Sequence, residues 1–179
     1  MEAIDLAHFE FSESNLSSVA RRDDFRLRLP TKPIYLNMAK GIAERFLRAH
    51  GLTGQDLANV LVAFKEALAN SERHGNGSDD RKRIHLRFSA GHARLALLVD
   101  DEGEGFDHRG LLRETLAKSP TQSARERHQM GQLGGLGIHL MVKCTDYLEY
   151  RNGGRGVTLV KEIGQRTPTL ENRHGDAPR

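Results

Sequence analysis

The sequence contains one cysteine and no tryptophan, and aromatic residues make up only 6% of its 179 residues. A lone Cys144 cannot form an internal disulfide, so a disulfide-stabilised secreted domain is excluded and a reducing, cytoplasmic environment is expected. No apolar run is long enough to cross a bilayer, and residues 1–11 lack the basic segment of a signal peptide. We therefore expect one domain with an aliphatic core and no membrane partner.

Positive charge exceeds negative charge in the whole chain but not in its first residues. The net charge is +3 and the sequence pI is about 9.2. A basic chain of this kind makes nucleic acid a binding partner to consider. Residues 1–24 carry a net charge of −4, and we expect this acidic leader to be either a solvated end or a weak mask over the basic body. Because no basic platform interleaved with aromatic residues is present, direct nucleic-acid binding is not expected.

Hydrophobic periodicity predicts a mixture of strands and helices. Strands are predicted at residues 25–29, 84–88 and 95–99, the last of them central because it is apolar throughout, and in a hairpin formed by 147–150 and 157–163. Helices are predicted to begin near Pro33, to span 55–73 and to follow Gly137. The pattern predicts an α+β two-layer sandwich, with helices on one face of a mixed, largely antiparallel sheet.

The same pattern predicts three parts of the chain. Residues 1–24 form the acidic N-terminal extension, residues 25–164 form the folded domain, and residues 165–179 form a C-terminal tail. The tail has few apolar residues and two prolines, so it is expected to be disordered.

A glutamate and an asparagine stand four residues apart on the clearest predicted helix. Four residues rise about 6 Å and return to nearly the same side, so Glu66 and Asn70 share one helix face. Such oxygen ligands suit Mg²⁺, which is often shared with substrate phosphates, and the carboxylate could instead accept a proton. The alternative is a polar pair on a solvated helix face.

A second polar motif directly follows the predicted central strand. It runs from Asp101 through Gly103 to Gly105. A carboxylate at a strand end can accept a hydrogen bond from an exocyclic amine such as that of adenine, and glycines let the backbone approach a flat ring closely. The alternative is an ordinary acidic turn.

Four glycines lie within residues 131–137, just before the last predicted helix. Free N–H groups and the positive end of a helix dipole make such a run a phosphate site, whereas the alternative is a flexible hinge. The run is not a Walker A loop, because no Gly-Lys-Ser/Thr follows, and it does not match the dinucleotide-binding fingerprint.

The order of these three motifs resembles that of the GHKL ATP-binding fold, shared by histidine kinases, type II topoisomerases, mismatch-repair ATPases and heat-shock chaperones. Within that fold, the sequence is most similar to the anti-sigma-factor serine kinases of bacterial partner-switching systems. The resemblance covers about residues 25–163 and rests on the segments Glu66–Gly75, Val99–Asp107 and Gly134–Met141.

The resemblance implies a role for each motif. Glu66 would be the general base, and Asn70 would hold Mg²⁺ on the ATP phosphates. Asp101 would bind the adenine amine, in a pocket shaped by Gly103 and Gly105. The phosphates would bind the backbone at the start of the last helix, at Gly134, Gly135, Leu136 and Gly137.

The resemblance also implies an ATP lid at about residues 107–133. Its net charge of +2 suits a triphosphate, and its bases are Arg109, Arg113, Lys118, Arg125 and Arg127. One position departs from the family, which usually has a threonine beside the adenine-binding aspartate. Here the segment reads Gly154-Arg155-Gly156-Val157 and the nearest threonine is Thr158, so either the register shifts or that contact is lost.

By this resemblance we expect an ATP-dependent serine/threonine kinase that phosphorylates a STAS-type anti-sigma-factor antagonist and, as an anti-sigma factor, sequesters a sigma factor. Family members commonly dimerise, so a homodimer is implied too. Two alternatives stay open: an ATP-dependent binding switch without significant kinase activity, and a histidine-kinase-type catalytic domain. The carboxylate of Glu66 favours a kinase over a binding switch, which would not need it. The Glu-Ala-x-x-Asn pattern and the lack of a phosphoacceptor helix pair argue against a histidine kinase.

Overall fold

The computed structural model describes residues 23–91, 93–110, 113 and 135–164. Within these ranges lie the strands β1 (Asp23–Pro30), β2 (Arg83–Ala90), β3 (Arg94–Asp101), β4 (Tyr147–Arg151) and β5 (Gly156–Glu162). The helices are α1 (Pro33–Ala49), α2 (Gly54–Asn70) and α3 (Gly135–Cys144), and a π-helical turn, Ser71–Gly75, continues α2. A short 3₁₀ turn, Asn152–Gly154, joins β4 to β5.

The five strands form one sheet in the order β1-β2-β3-β5-β4. Every strand pair among them is antiparallel, and β3 lies in the centre, as its continuous apolar run predicts. The predicted α+β architecture and its largely antiparallel sheet are confirmed. No helix among the described residues has the length and apolar character that crossing a membrane requires.

The helices cover only one face of the sheet. On β2, Ile84, Leu86 and Phe88 alternate with polar residues and face the helices. On β3, Leu95, Leu97 and Val99 face the helices too, but the residues between them, Ala96 and Leu98, are also apolar and buried. The helices complete this core with buried residues at steps of three and four: Leu36, Ala39, Ala43, Phe46, Leu47, Leu57, Val60, Ala63, Phe64, Ala67 and Leu68.

Local sequence signals determine where α1 begins and ends. Pro33 occupies the first turn, where the missing N–H costs nothing. At the other end Gly51 has a φ of +84°, a conformation that favours glycine and that turns the chain toward α2. The sequence therefore sets the length of α1 through these two residues.

Two boundaries differ from those that periodicity predicts. β1 begins at Asp23, so its first two residues lie in the stretch that the sequence assigns to the acidic extension. The helix predicted for residues 55–73 is α-helical only as far as Asn70, because the backbone then widens into the π turn. Periodicity does not register this change, because Ser71 follows Leu68 at a step of three and so continues the helical spacing of the buried residues.

A buried asparagine joins four segments below the end of α2. Asn76 is 1% exposed, and its Nδ2 donates to the Thr31 hydroxyl at 2.8 Å and to the Arg83 carbonyl at 2.9 Å. Its Oδ1 accepts from the backbone N–H of Glu102 at 2.8 Å. The side chain thus ties the π turn to the ends of β1 and β3 and to the start of β2.

We expect Phe88→Ala to lower the free energy of unfolding by about 3–5 kcal/mol, the usual cost of removing a buried phenylalanine. Phe88 is fully buried, stacks on Phe25 at a centroid distance of 4.7 Å, and contacts Phe46 edge-on at 5.5 Å. Urea unfolding measures the change, and Ile34→Ala on the exposed side of α1 is the control that should change little. Equal effects of the two variants would contradict this account of the core.

We expect Asn76→Ala to lower the free energy of unfolding by about 1–3 kcal/mol. The Thr31 hydroxyl, the Arg83 carbonyl and the Glu102 N–H would each lose Asn76 as a hydrogen-bond partner. Asn37→Ala is a matched control, since the Asn37 side chain is exposed and bonds only Lys40 of the same helix. Thermal or urea denaturation compares the two. A loss no larger than that of the control would show that Asn76 does not hold these segments together.

Candidate functional site

The C-terminal end of α2 presents two polar side chains to α3. Glu66 and Asn70 are both half-buried and lie one turn apart. A Cβ placed on Gly137 would lie 2.8 Å from Oε2 of Glu66 and 3.8 Å from Nδ2 of Asn70. The structure thus brings together the carboxylate, the amide and the glycine backbone of α3, although Gly137 is far from the other two in the sequence.

The carboxylate of Asp101 stands at the end of β3 and packs directly against the π turn. A Cβ on Gly75 would collide with this carboxylate, and a Cβ on Gly103 would collide with the carbonyl oxygen of Gly75. The N–H of Gly103 donates to Oδ1 of Asp101 at 2.9 Å, and the Ser71 hydroxyl donates to the same carboxylate. Glycine at positions 75 and 103 is therefore required by close backbone approach.

Burial raises the pKa of Asp101 above its usual value, and the neighbouring charge of Asp100 adds to that rise. The hydrogen bonds from Gly103 and Ser71 and the positive charge of Arg155 act in the opposite direction but do not cancel the effect of burial. The group retains an acceptor oxygen for a ligand amine, because the two described donors leave other lone pairs unused.

A cleft of about 520 Å³, open solvent included, extends from Asp101 to the end of α2. Ala67, Met141 and Val157 supply apolar surface, while His74 and Arg155 are charged or titratable groups at its edge. Burial and the nearby charge of Arg73 lower the pKa of His74, which favours the neutral ring. The cleft thus combines a flat apolar lining with one carboxylate, an arrangement suited to a heterocyclic base.

Aromatic residues form one wall of the cleft. The rings of Phe106 and Tyr150 meet edge-to-face at a centroid distance of 5.3 Å, and His108 packs against both. Burial raises the pKa of the Tyr150 hydroxyl. The segment that carries Phe106 is held to the β4–β5 turn by the hydrogen bond from the N–H of Phe106 to the Gly153 carbonyl, at 3.0 Å.

The glycine run before α3 is only partly described. Gly135 is the first residue of α3, which confirms that the run opens a helix, and Leu136 and Gly137 follow in its first turn. Gly134 and the lid residues 114–133 lie outside the described residues, as do Leu111 and Leu112. Of the predicted lid bases, Arg109 and Arg113 are described and exposed, while Lys118, Arg125 and Arg127 are not described.

The pairing of β3 with β5 shows on which face of the sheet the Thr158 side chain lies. Thr158 pairs with Leu98 of β3 and faces away from the helices, so its side chain does not reach the cleft. Val157 lies on the helix side beside Val99 and lines the cleft instead. The register does not shift, and the contact expected from a threonine is lost.

Sequence reasoning missed several residues of this site. Ser71, Gly75 and Arg155 contact or influence Asp101, yet none of them carries a pattern of its own. Gly75 ends a family motif, but the motif gives no physical reason for a glycine there. Asn76, which positions the backbone of Glu102 next to Asp101, follows directly on that motif and has no periodic signal that would distinguish it from a turn residue.

A magnesium ion would have few protein ligands here. Among the described residues, no three side chains of His, Cys, Asp or Glu cluster as a metal site. The pair of Glu66 and Asn70 nevertheless fits Mg²⁺, because this ion keeps several waters and binds through one or two protein oxygens together with substrate phosphates. The donor set therefore suits a metal that arrives with a nucleotide.

The chain is similar in sequence to known protein kinases. The chain is 27% identical over 148 residues to the serine-protein kinase RsbW of Bacillus velezensis, a match that covers 79% of this chain and 86% of that protein. It is 28% identical over 143 residues to the serine-protein kinase RsbW of Bacillus subtilis, covering 76% and 82% respectively.

A solved structure shares the fold at low sequence identity. A chain of the SiaB–SiaC complex from Pseudomonas aeruginosa superposes with a TM-score of 0.50 at 11% identity, covering 84% of this chain and 94% of that one. The sequence model of the family described as "Histidine kinase-like ATPase domain" matches residues 29–161. Because that match covers well over half of the chain, the chain belongs to the histidine kinase-like ATPase family, and its nucleotide is ATP.

Proposed function

We propose that this protein is an ATP-dependent serine/threonine kinase and anti-sigma factor of a bacterial partner-switching system. Its substrate would be a STAS-type anti-sigma-factor antagonist, phosphorylated on a serine or threonine, and its second partner a sigma factor. The observation that carries the proposal is the carboxylate of Glu66 beside the backbone of Gly137, one helical turn before Asn70, which lines the cleft together with Asp101. The similarity to RsbW serine-protein kinases supports it.

The adenine would lie in the apolar part of the cleft, with its amine donating to Asp101. The triphosphate would then extend toward Asn70 and the start of α3, where free N–H groups and the positive end of the helix dipole favour an anion. Bound Mg²⁺ would neutralise phosphate charge there, and the amide oxygen of Asn70 would hold it.

Glu66 would take the proton from the hydroxyl of the acceptor residue. The hydroxyl oxygen forms a bond to the γ-phosphorus while the bond from that phosphorus to the β,γ-bridging oxygen breaks, and ADP leaves with the electron pair. The contribution of the chain is positioning and charge stabilisation, because phosphoryl transfer needs little covalent participation from the protein.

A binding switch that does not catalyse transfer needs no carboxylate at this position. The half-buried carboxylate of Glu66 faces the site where the phosphates would bind, and it would repel them unless it served a proton or a metal. Its presence beside a phosphate site therefore favours the kinase over the switch.

We expect Glu66→Gln to reduce phosphoryl transfer by about 10²–10⁴-fold, the usual contribution of a general base, while ATP binding persists. The assay combines radiolabelled ATP, Mg²⁺ and a STAS-domain protein encoded beside this gene, with Glu44→Gln on the exposed side of α1 as a matched control. Acid-stable label on the partner identifies a hydroxyl ester, whereas acid-labile label would identify a histidine kinase. ATP binding without transfer to such a partner would contradict the kinase proposal and favour the switch.

We expect Asp101→Asn to weaken ATP binding by about ten- to a hundredfold, because a charged hydrogen bond contributes about 1.5–3 kcal/mol. Folding stability at neutral pH should not fall. The folded state holds the proton of this carboxyl more tightly than the unfolded state, so the ionised group opposes folding above its raised pKa. Calorimetric titration and thermal melts measure the two effects.

Asp79→Asn serves as the matched control for that variant, since Asp79 pairs with exposed Arg81 outside the cleft. Undiminished ATP affinity in Asp101→Asn would show that the base does not bind at Asp101.

A further inference from the structure

The sheet has a second face, opposite the helices, that the proposed kinase site does not use. Alternation along β1 places Asp24, Arg26 and Arg28 on this face, because Phe25, Leu27 and Leu29 face the core. Its remaining side chains come from the other four strands. They include His85, Arg87 and Ser89 of β2, Arg94, Ala96, Leu98 and Asp100 of β3, Thr158, Val160 and Glu162 of β5, and Tyr147, Glu149 and Arg151 of β4.

The half of this face on β1 and β2 is a basic groove. The groove has a volume of about 780 Å³, open solvent included, and its charged lining is Arg26, Arg28, His85, Arg87, Asp100 and Arg151. Arg26 lies directly opposite Arg87 in the strand register, an arrangement of like charges that is unfavourable by itself. Asp24 pairs with Arg87, Glu102 with Arg28 and His85, and Asp100 with Arg151, whereas among the described residues no carboxylate pairs with Arg26. Four arginines against three carboxylates leave the groove a positive charge, centred on Arg26, that suits an acidic side chain.

The other half of the face is apolar and already excluded from solvent. Ala96, Leu98 and Val160 are 7%, 6% and 8% exposed, and the partly buried apolar side chain that packs against them, Tyr147, also lies on a strand. Two polar atoms on the same face, Oγ1 of Thr158 and Nε of Arg151, are buried without a hydrogen-bond partner among the described residues. Because buried polar atoms are normally paired, this face offers both apolar contacts and hydrogen-bonding atoms to a covering segment.

We propose that the acidic leader of this chain, residues 1–22, docks across the open face of the sheet. Its acidic residues would lie in the basic groove, and its apolar residues would cover the cluster of Ala96, Leu98 and Val160. This surface lies on the opposite side of the sheet from the ATP cleft, so the proposal does not depend on kinase activity.

The composition of the leader matches both halves of the face. Residues 1–22 contain four acidic residues, and their two basic residues, Arg21 and Arg22, stand together at the end next to β1. The acidic residues are interspersed with apolar residues, so that one segment carries both kinds of contact: Glu2, Ile4, Asp5, Leu6, Phe9, Glu10, Phe11, Glu13 and Leu16. This is the complement of a face that is basic on one side and apolar on the other.

The leader enters the fold next to this face and is long enough to cross it. β1 begins at Asp23, and the following residue, Asp24, already lies on the open face and pairs with Arg87. Five strands about 4.8 Å apart make a sheet roughly 20 Å wide, whereas 22 residues can extend up to about 70 Å. A second copy of the chain is a poorer occupant, because a two-fold contact through this face would bring two sets of arginines to one interface.

A spin label on the leader of the full-length chain tests the proposal. Ser12→Cys in a Cys144→Ala background provides one labelling site, and ¹⁵N NMR then reports which amides lie near it. We expect the amides of Arg87, Leu98 and Thr158 to lose more than half of their intensity, and those of α1 and α2 to keep theirs. Unchanged intensity on the open face would overturn the proposal.

Two further samples distinguish contact within one chain from contact between copies, and test the role of charge. Mixing spin-labelled, unenriched chain with ¹⁵N-enriched, unlabelled chain reports contacts between copies, and strong intensity loss there would overturn the proposal in favour of a second copy. Glu10→Lys with Glu13→Lys should restore most of the lost intensity in the singly labelled chain, whereas Glu44→Lys on α1 should not. Intensity loss that persists after both leader charges are reversed would contradict the electrostatic part of the proposal.

Discussion

The close approach of the Asp101 carboxylate to the backbone of Gly75 is the contact on which the site depends. It joins the end of the central strand to the end of α2, with no room for a side chain on Gly75 and with a second close approach at Gly103. Since the π turn continues α2, fixing Gly75 also fixes Asn70 and Glu66, which lie about one and a half and two and a half helical turns earlier. Those side chains can then meet Gly137 of α3 on the other side of the cleft.

This contact places a carboxylate in a partly buried position, which costs free energy. Burial raises the pKa of Asp101, and two hydrogen bonds and the charge of Arg155 offset only part of that cost. The buried side chain of Asn76 stabilises the adjoining backbone, because both of its N–H groups and its oxygen are hydrogen-bonded. A partly buried carboxylate such as Asp101, held in place by a fully hydrogen-bonded neighbour such as Asn76, is typical of a ligand site. Such a site gives up some folding stability and gains a preformed hydrogen-bond acceptor.

The sheet serves different purposes on its two faces. The helix side carries the aliphatic core and the cleft, and the residues that line the cleft come from strand ends, turns and helix ends. The opposite side combines a basic groove with an apolar cluster, and it contains buried polar atoms that lack partners among the described residues. A single layer of helices leaves this second face available for another segment, and the chain has an acidic one at the start of β1.

Much of the fold follows from alternation and helical spacing. Ile84, Leu86 and Phe88 alternate with polar neighbours, and the continuous run Leu95–Val99 marks the strand that is buried on both faces. Local patterns record these features because one buried face imposes a period of two or of 3.6. They do not record the π turn, since Ser71 follows Leu68 at a step of three, as it would in an uninterrupted α-helix. They also leave Thr158 ambiguous, because one residue of register moves a side chain to the other face.

The sequence by itself determined the fold class, the three motifs and the residues Glu66, Asn70, Asp101 and Gly137 as a set. Each belongs to a local pattern that a helix face, a strand end or a helix start imposes on nearby residues. Only the tertiary structure decided that Gly75 must lack a side chain, that Val157 and not Thr158 lines the cleft, and that Asn76 joins four segments. These facts depend on distances between residues far apart in the chain, and packing in three dimensions sets such distances.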